Sequence, residues 1–221
     1  MKRNQSGFTL IEIAIVLVII GLLLGGVLKG QELINSAKVK NLATDFKNIP
    51  VFIYGYQDKF KALPGDDAAV QAHVNGTLAT TNGTPGNGII EGNWNSTNNT
   101  DESILFWQHV RLAGLAPGET TVNAAAGNTY MPTNAVGGNI GITNSGAGLP
   151  ITGLKGTYIV CSNGIAGKFA KQLDTTMDDG NTATGSMQVT AAGTSVGGVA
   201  IPTTGVNGIN DDTPYLVCMG F

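Results

Sequence analysis

The sequence predicts an α+β fold: a long N-terminal helix, membrane-crossing in its first half, packed against a small antiparallel β-sheet. Three observations predict it. An almost wholly apolar run, FTLIEIAIVLVIIGLLLGGVL, occupies residues 8–28. An apolar stripe at helical spacing follows it. Further on, short segments of strand-forming residues alternate with Gly-, Asn- and Thr-rich tracts.

The apolar run has the length of about twenty residues that a helix needs to cross hydrocarbon at ~1.5 Å per residue. Residues 1–7 before it are polar and carry Lys2 and Arg3. That basic flank belongs on the cytoplasmic side, which leaves everything after Lys29 outside. A secretory signal has a shorter apolar core and a small-residue cleavage site, whereas this run continues into more helix-forming sequence. Glu12 breaks the pattern, because a carboxylate in this setting costs ~2.5–3.5 kcal/mol on insertion scales. No Lys or Arg lies within the run. Glu12 therefore snorkels, stays protonated, or meets a partner from elsewhere.

Residues 29–61 read as the amphipathic half of the same helix. Leu42, Phe46, Ile49, Ile53, Tyr56 and Phe60 recur at intervals of four and three, while Lys38, Lys40, Asp45, Lys47, Gln57 and Lys59 fall largely off that stripe. The stripe is expected to cover the protein's own core. One helix over residues 8–60 would be on the order of 80 Å long. Pro50 is expected to kink it, and Gly21, Gly25, Gly26 and Gly30 to weaken it. Leu63-Pro64-Gly65-Asp66 ends it, with Asp66-Asp67 read as a turn or cap.

Residues 62–221 form the extracytoplasmic globular domain. A Gly/Asn/Thr-rich tract runs to about Asn99, then a helix over 101–113. Asn99 or Thr100 caps that helix, Asp101 and Glu102 favour its positive end, and Gly114 terminates it. A second polar tract extends to about Gly153. Strands are expected over 157–162, 186–190 and 215–219. Phe169, Ala170, Leu173 and Met177 mark a helix ending at Asp178-Asp179-Gly180. The only cysteines, Cys161 and Cys218, match no common zinc spacing. In an exported domain they read as one disulfide closing a C-terminal loop; the alternative is a pair of buried free thiols.

Composition narrows the function. Only 12% of residues are charged and 32 are glycine, which fits a loop-rich, β-containing body rather than a highly charged cytosolic enzyme. A net charge of -3 supplies no basic footprint for nucleic acid. Tyr54 and Tyr56 near Lys59 and Lys61 offer a stacking platform for single strands, but core aromatics beside a solvated edge are the simpler reading. The two histidines, His73 and His109, accompany no Gly-x-Ser-x-Gly element and no phosphate-loop lysine, so no catalytic residues and no enzyme activity are expected. Two acidic clusters raise calcium as an alternative to a cofactor-free chain: Asp178-Asp179 with Asn181, and Asp211-Asp212 with Asn207 or Asn210. Neither matches the EF-hand loop, and Asp-Gly is ordinary turn chemistry.

The segment Ser6-Gly7-Phe8-Thr9-Leu10-Ile11-Glu12, followed by its apolar run, resembles the processing signal of type IV prepilins and type II secretion pseudopilins. The resemblance covers about the first tenth of the chain, and it implies a pilin-like fold. In that family a membrane prepilin peptidase cuts after the glycine and the new N-terminus is methylated. Carried over, residues 1–7 are a cleaved leader, Gly7 precedes the scissile bond, and Phe8 becomes the methylated N-terminus. Glu12 becomes the fifth mature residue and pairs with the α-amine of a neighbouring subunit. The proline often found near mature position twenty-two is absent; Lys29 stands there, so melting of the helix in the filament is not implied. The LPGD turn and the segment LDTTMDDGNTATGS resemble parts of other prepilin-like proteins.

The resemblance implies a structural subunit, major or minor, of a type IV pilus-like or type II secretion filament. Its implied partners are the peptidase, other pilins and an inner-membrane assembly platform. The implied location is the inner membrane, single-pass with the N-terminus cytoplasmic, and then an extracytoplasmic filament. The alternative is a minor pilin-type binding module for surface adhesion or DNA capture through the loops at 75–150.

Overall fold

The computed structural model describes residues 10–124, 130–144, 146 and 148–221. It holds helices α1 (Leu10–Phe60), α2 (Val70–Val74), α3 (Glu102–Leu112) and α4 (Gly167–Met177). Its strands are β1 (Ile140–Asn144), β2 (Tyr158–Ala166), β3 (Met187–Ala191) and β4 (Pro214–Gly220). The fold is α+β, with one long N-terminal helix and one four-stranded sheet. Two compact units divide between Lys38 and Val39.

The first described element, α1, is helical through Pro50. Within the second unit it buries Val39, Leu42, Ala43, Phe46, Ile49, Ile53 and Tyr56. This is the stripe expected from spacing, extended upstream by Val39 and ending at half-buried Phe60. The amphipathic half of the helix from Val39 onward is therefore part of the globular body. Its side chains join a core shared with α3, α4 and all four strands.

The sheet order is β1-β2-β4-β3, and every pairing is antiparallel. A register shift interrupts β2 between Ser162 and Ile165. Tyr215, Leu216, Val217 and Cys218 are consecutive and all buried, so both faces of the central strand β4 are covered. α4 packs on β2, β3 and β4, and α3 packs against β1.

α3 is buried at every position from Glu102 to Arg111, and its polar side chains organise the loops around it. Arg111 donates to the carbonyls of Pro117 at 3.2 Å, Glu119 at 3.0 Å and Tyr130 at 2.9 Å. It also lies 4.6 Å from the centre of the Tyr130 ring. The Trp94 indole donates to Thr194 O at 2.9 Å, tying the first polar tract to the segment after β3. The polar tracts are thus pinned by directed bonds.

Two features depart from expectation. The N-cap of α3 is Asp101, without a side-chain capping bond; Asn99 instead accepts the Ala124 N–H at 2.7 Å. Strand β1 lies inside the second polar tract. There Gly141 brings the backbone against the Trp94 carbonyl, where a Cβ would collide.

Candidate functional site

In the first unit, every residue from Leu10 to Lys29 is exposed. Leu10 is 89% and Leu22 74% accessible. This helix is long and apolar enough to cross a membrane, and none of that window is buried among the described residues. Glu12 sits in the first turn of α1, on an exposed position of the same apolar segment. Gly7 and Phe8, the expected cleavage and methylation positions, lie outside the described residues.

Cys161 and Cys218 form a disulfide, S–S 2.07 Å. They face each other in register on β2 and β4, and both are fully buried. The bond crosses the middle of the sheet, between neighbouring strands whose cysteines are 57 positions apart in sequence.

The Leu63–Asp67 turn gathers the histidines. Asp66 accepts N–H bonds from Gly86 (2.5 Å), Asn87 (3.1 Å) and Gly88 (2.7 Å). Asp67 accepts the Tyr56 hydroxyl at 2.7 Å and the Ala69 N–H at 2.8 Å, and His73 Nδ1 lies 2.6 Å from it. Burial works against the Asp67 charge, but the bonds from His73 and Tyr56 hold its carboxyl below the usual range. Gly65, at φ +93, admits the Glu102 carbonyl where a Cβ would clash. Its N–H donates to His109 Nδ1 at 2.9 Å, and the Nε2 of His109 lies 2.9 Å from Thr77 O. Burial pushes His109 down to about 4, so near neutral pH its ring is uncharged, an acceptor at Nδ1 and a donor at Nε2. A cleft of about 500 Å³ opens beside this turn, lined by Phe60, Asp66, Asp67, His73 and Tyr158 among others. Each bond here fixes the loop between α1 and α3. Tyr56 is withdrawn into that network, so it forms no stacking face with the exposed Tyr54.

The two acidic clusters have different surroundings. Asp211 pairs with Lys171 at 2.9 Å and Asp212 with Lys168 at 3.1 Å, which pins the segment before β4 to α4. Asp178 and Asp179 instead converge with a residue that sequence reasoning missed, Asp174. One carboxylate oxygen from each lies within 4.8 Å of the others. Asp174 is one helical turn before Asp178, an i,i+4 spacing that was the available signal. Asn181 turns its amide oxygen to the Ala183 N–H at 3.3 Å. A second missed carboxylate is Glu102. It is fully buried, with Oε2 accepting the Glu91 N–H at 2.9 Å and Oε1 without a hydrogen-bond partner among the described residues.

Residues 2–28 match the family model described as the prokaryotic N-terminal methylation motif, the hallmark of prepilin-type cleavage in type IV pilins and pseudopilins. Comparison with curated proteins gave no match. The motif points to a structural protein, and it implies processing by a prepilin peptidase and assembly with other pilins. Motif and exposed apolar helix together support membrane anchoring before assembly.

Proposed function

From a chain that carries a prepilin-type N-terminus, we propose a structural filament subunit of a type IV pilus-like or type II secretion apparatus. The observation that carries this reading is a methylation motif in register with an exposed apolar helix. Such a surface is stable only in lipid or against other apolar helices. In the precursor it anchors the chain in the inner membrane, with residues 1–7 cytoplasmic and the disulfide-bonded body on the oxidising side. A prepilin peptidase cuts between Gly7 and Phe8, Phe8 is methylated, and an assembly platform passes the subunit into the filament.

Cleavage then acts as a switch. It creates an α-amine at Phe8 with an ordinary pKa near 8, largely cationic at neutral pH. Glu12 of a neighbouring subunit is its counter-charge, and in a low-dielectric helix bundle neither group is stable without the other. Until the bond is cut, that cation does not exist.

Intact-mass analysis of sheared filaments tests the reading. The expected species begins at a methylated Phe8, and Gly7→Val should abolish cutting by filling the space beside the scissile bond. Filament-incorporated protein that still carries residues 1–7 overturns it.

A further inference from the structure

The C-terminal end of α4 concentrates negative charge, and no ion pair answers it among the described residues. Asp174 lies in the last turn, Asp178 is the C-cap and Asp179 follows. The last turn holds no basic residue, and the carbonyl end of a helix is itself the negative pole. The nearest lysines on this helix are engaged elsewhere, Lys168 with Asp212 and Lys171 with Asp211.

An acidic surface cluster alone means little, but Asp174 is not on the surface. It is fully buried, and neither carboxylate oxygen meets hydrogen-bond geometry with a partner among the described residues. An orphaned buried carboxylate is costly, and an oxygen-seeking cation is the ligand that removes the cost.

The two outer carboxylates are held as metal ligands are held. Asp178 Oδ2 accepts the Met187 N–H at 2.7 Å and its Oδ1 the Ser186 hydroxyl at 3.2 Å. Asp179 accepts the Asn181 N–H at 2.8 Å and the Thr184 hydroxyl at 2.7 Å. Each oxygen keeps a further lone pair for an ion, and such outer bonds orient ligating carboxylates. Gly185, at φ +75, leaves the space beside Asp178 that any Cβ would fill.

We propose that Asp174, Asp178 and Asp179 bind one calcium ion between the end of α4 and the start of β3. The donors are all carboxylate oxygens, which excludes a preference for zinc or copper. Three carboxylates supply three to six of the roughly six to eight oxygens calcium takes, and solvent at exposed Asp179 supplies the rest. Magnesium, which needs near-octahedral geometry, is the poorer fit to carboxylates already fixed by other bonds. The ion would tie α4 to β3, and hence to the edge of the sheet.

The test uses the full chain in detergent micelles, stripped with a chelator and titrated with calcium chloride or magnesium chloride. Bound calcium and the thermal midpoint are followed together. The expected result is one calcium per chain and a midpoint rise of about 5–10 °C at a hundredfold excess over the dissociation constant. Asp174→Asn should lose that rise, while its calcium-free midpoint equals or exceeds that of the wild type because the orphaned charge is gone. Asp179→Asn, at an exposed position, should fold normally and bind at least tenfold more weakly; it carries the test alone if the first variant does not fold. No calcium-dependent shift in the wild type, an undiminished shift in the folded variants, or an equal response to magnesium overturns the proposal.

Discussion

Glu12 lies exposed on the first turn of α1 among leucines and isoleucines, where it is unfavourable for insertion. Glu12→Ala and Glu12→Gln should therefore leave membrane-fraction levels unchanged. Sheared-filament yield should fall sharply in both if Glu12 forms the proposed pair, since breaking a buried pair costs about 3–5 kcal/mol. Unchanged yield in both variants would remove Glu12 from assembly. Glu102 is a carboxylate of a different kind. Burial first, and then the charges of Asp66, Glu91 and Asp101, push it up to about 7, against the opposing Glu91 N–H. A carboxyl raised in the folded state binds its proton more tightly there. Its contribution to stability is fully present below the ordinary value of 4.5 and is lost as pH rises through about 7. Glu102→Gln keeps an acceptor for Glu91 and removes the charge. Unfolding free energies should match the wild type near pH 4 and exceed it at pH 8, by an amount on the order of 3 kcal/mol. An equal gap at both pH values would show that the charge is not the cause.

Between elements, the Cys161–Cys218 bond joins β2 to β4 in the centre of the sheet. In the chain-entropy model a loop of this length is worth up to roughly 4 kcal/mol. The double variant Cys161→Ala/Cys218→Ala should lose about that much in denaturant unfolding, with alkylation confirming the absence of free thiols in unreduced wild type. A difference below about 1 kcal/mol would mean that strand pairing alone holds β4. Strands β2, β3 and β4 were legible because their valines, isoleucines and tyrosines stand in short runs bounded by glycine. β1 was not, because Gly141 and Asn144 read as loop. Their reasons are tertiary: Gly141 admits the Trp94 backbone, and Asn144 Nδ2 donates to Ile90 O at 2.9 Å. The same holds for Asp101 at the start of α3. Its side chain is spent on Thr81, Asn82 and Ser96, so no local capping rule could find the boundary.

Across the whole molecule, the N-terminal segment was the most readable part, because lipid-length hydrophobicity and the prepilin-type signature are both local in sequence. The α1 stripe was readable for the same reason. The acidic site at α4 was half visible: Asp178-Asp179 stood out, whereas Asp174 gained meaning only through burial. Burial within a body of many glycine-rich loops is set by contacts far apart in sequence, such as the one between Trp94 and Thr194. The sheet order β1-β2-β4-β3 carries a consequence for biosynthesis. β4 is an interior strand, so on the proposed topology β2 and β3 have no shared neighbour until residues 214–220 have crossed the membrane. Closure of the body thereby waits for β4, and the oxidant that links Cys161 must wait for Cys218. A chain stopped after Asp212 should reach the membrane fraction yet show no protease-resistant body. If the chain is the filament subunit proposed above, strand order makes β4 the checkpoint: no folded particle exists to assemble until that strand has paired.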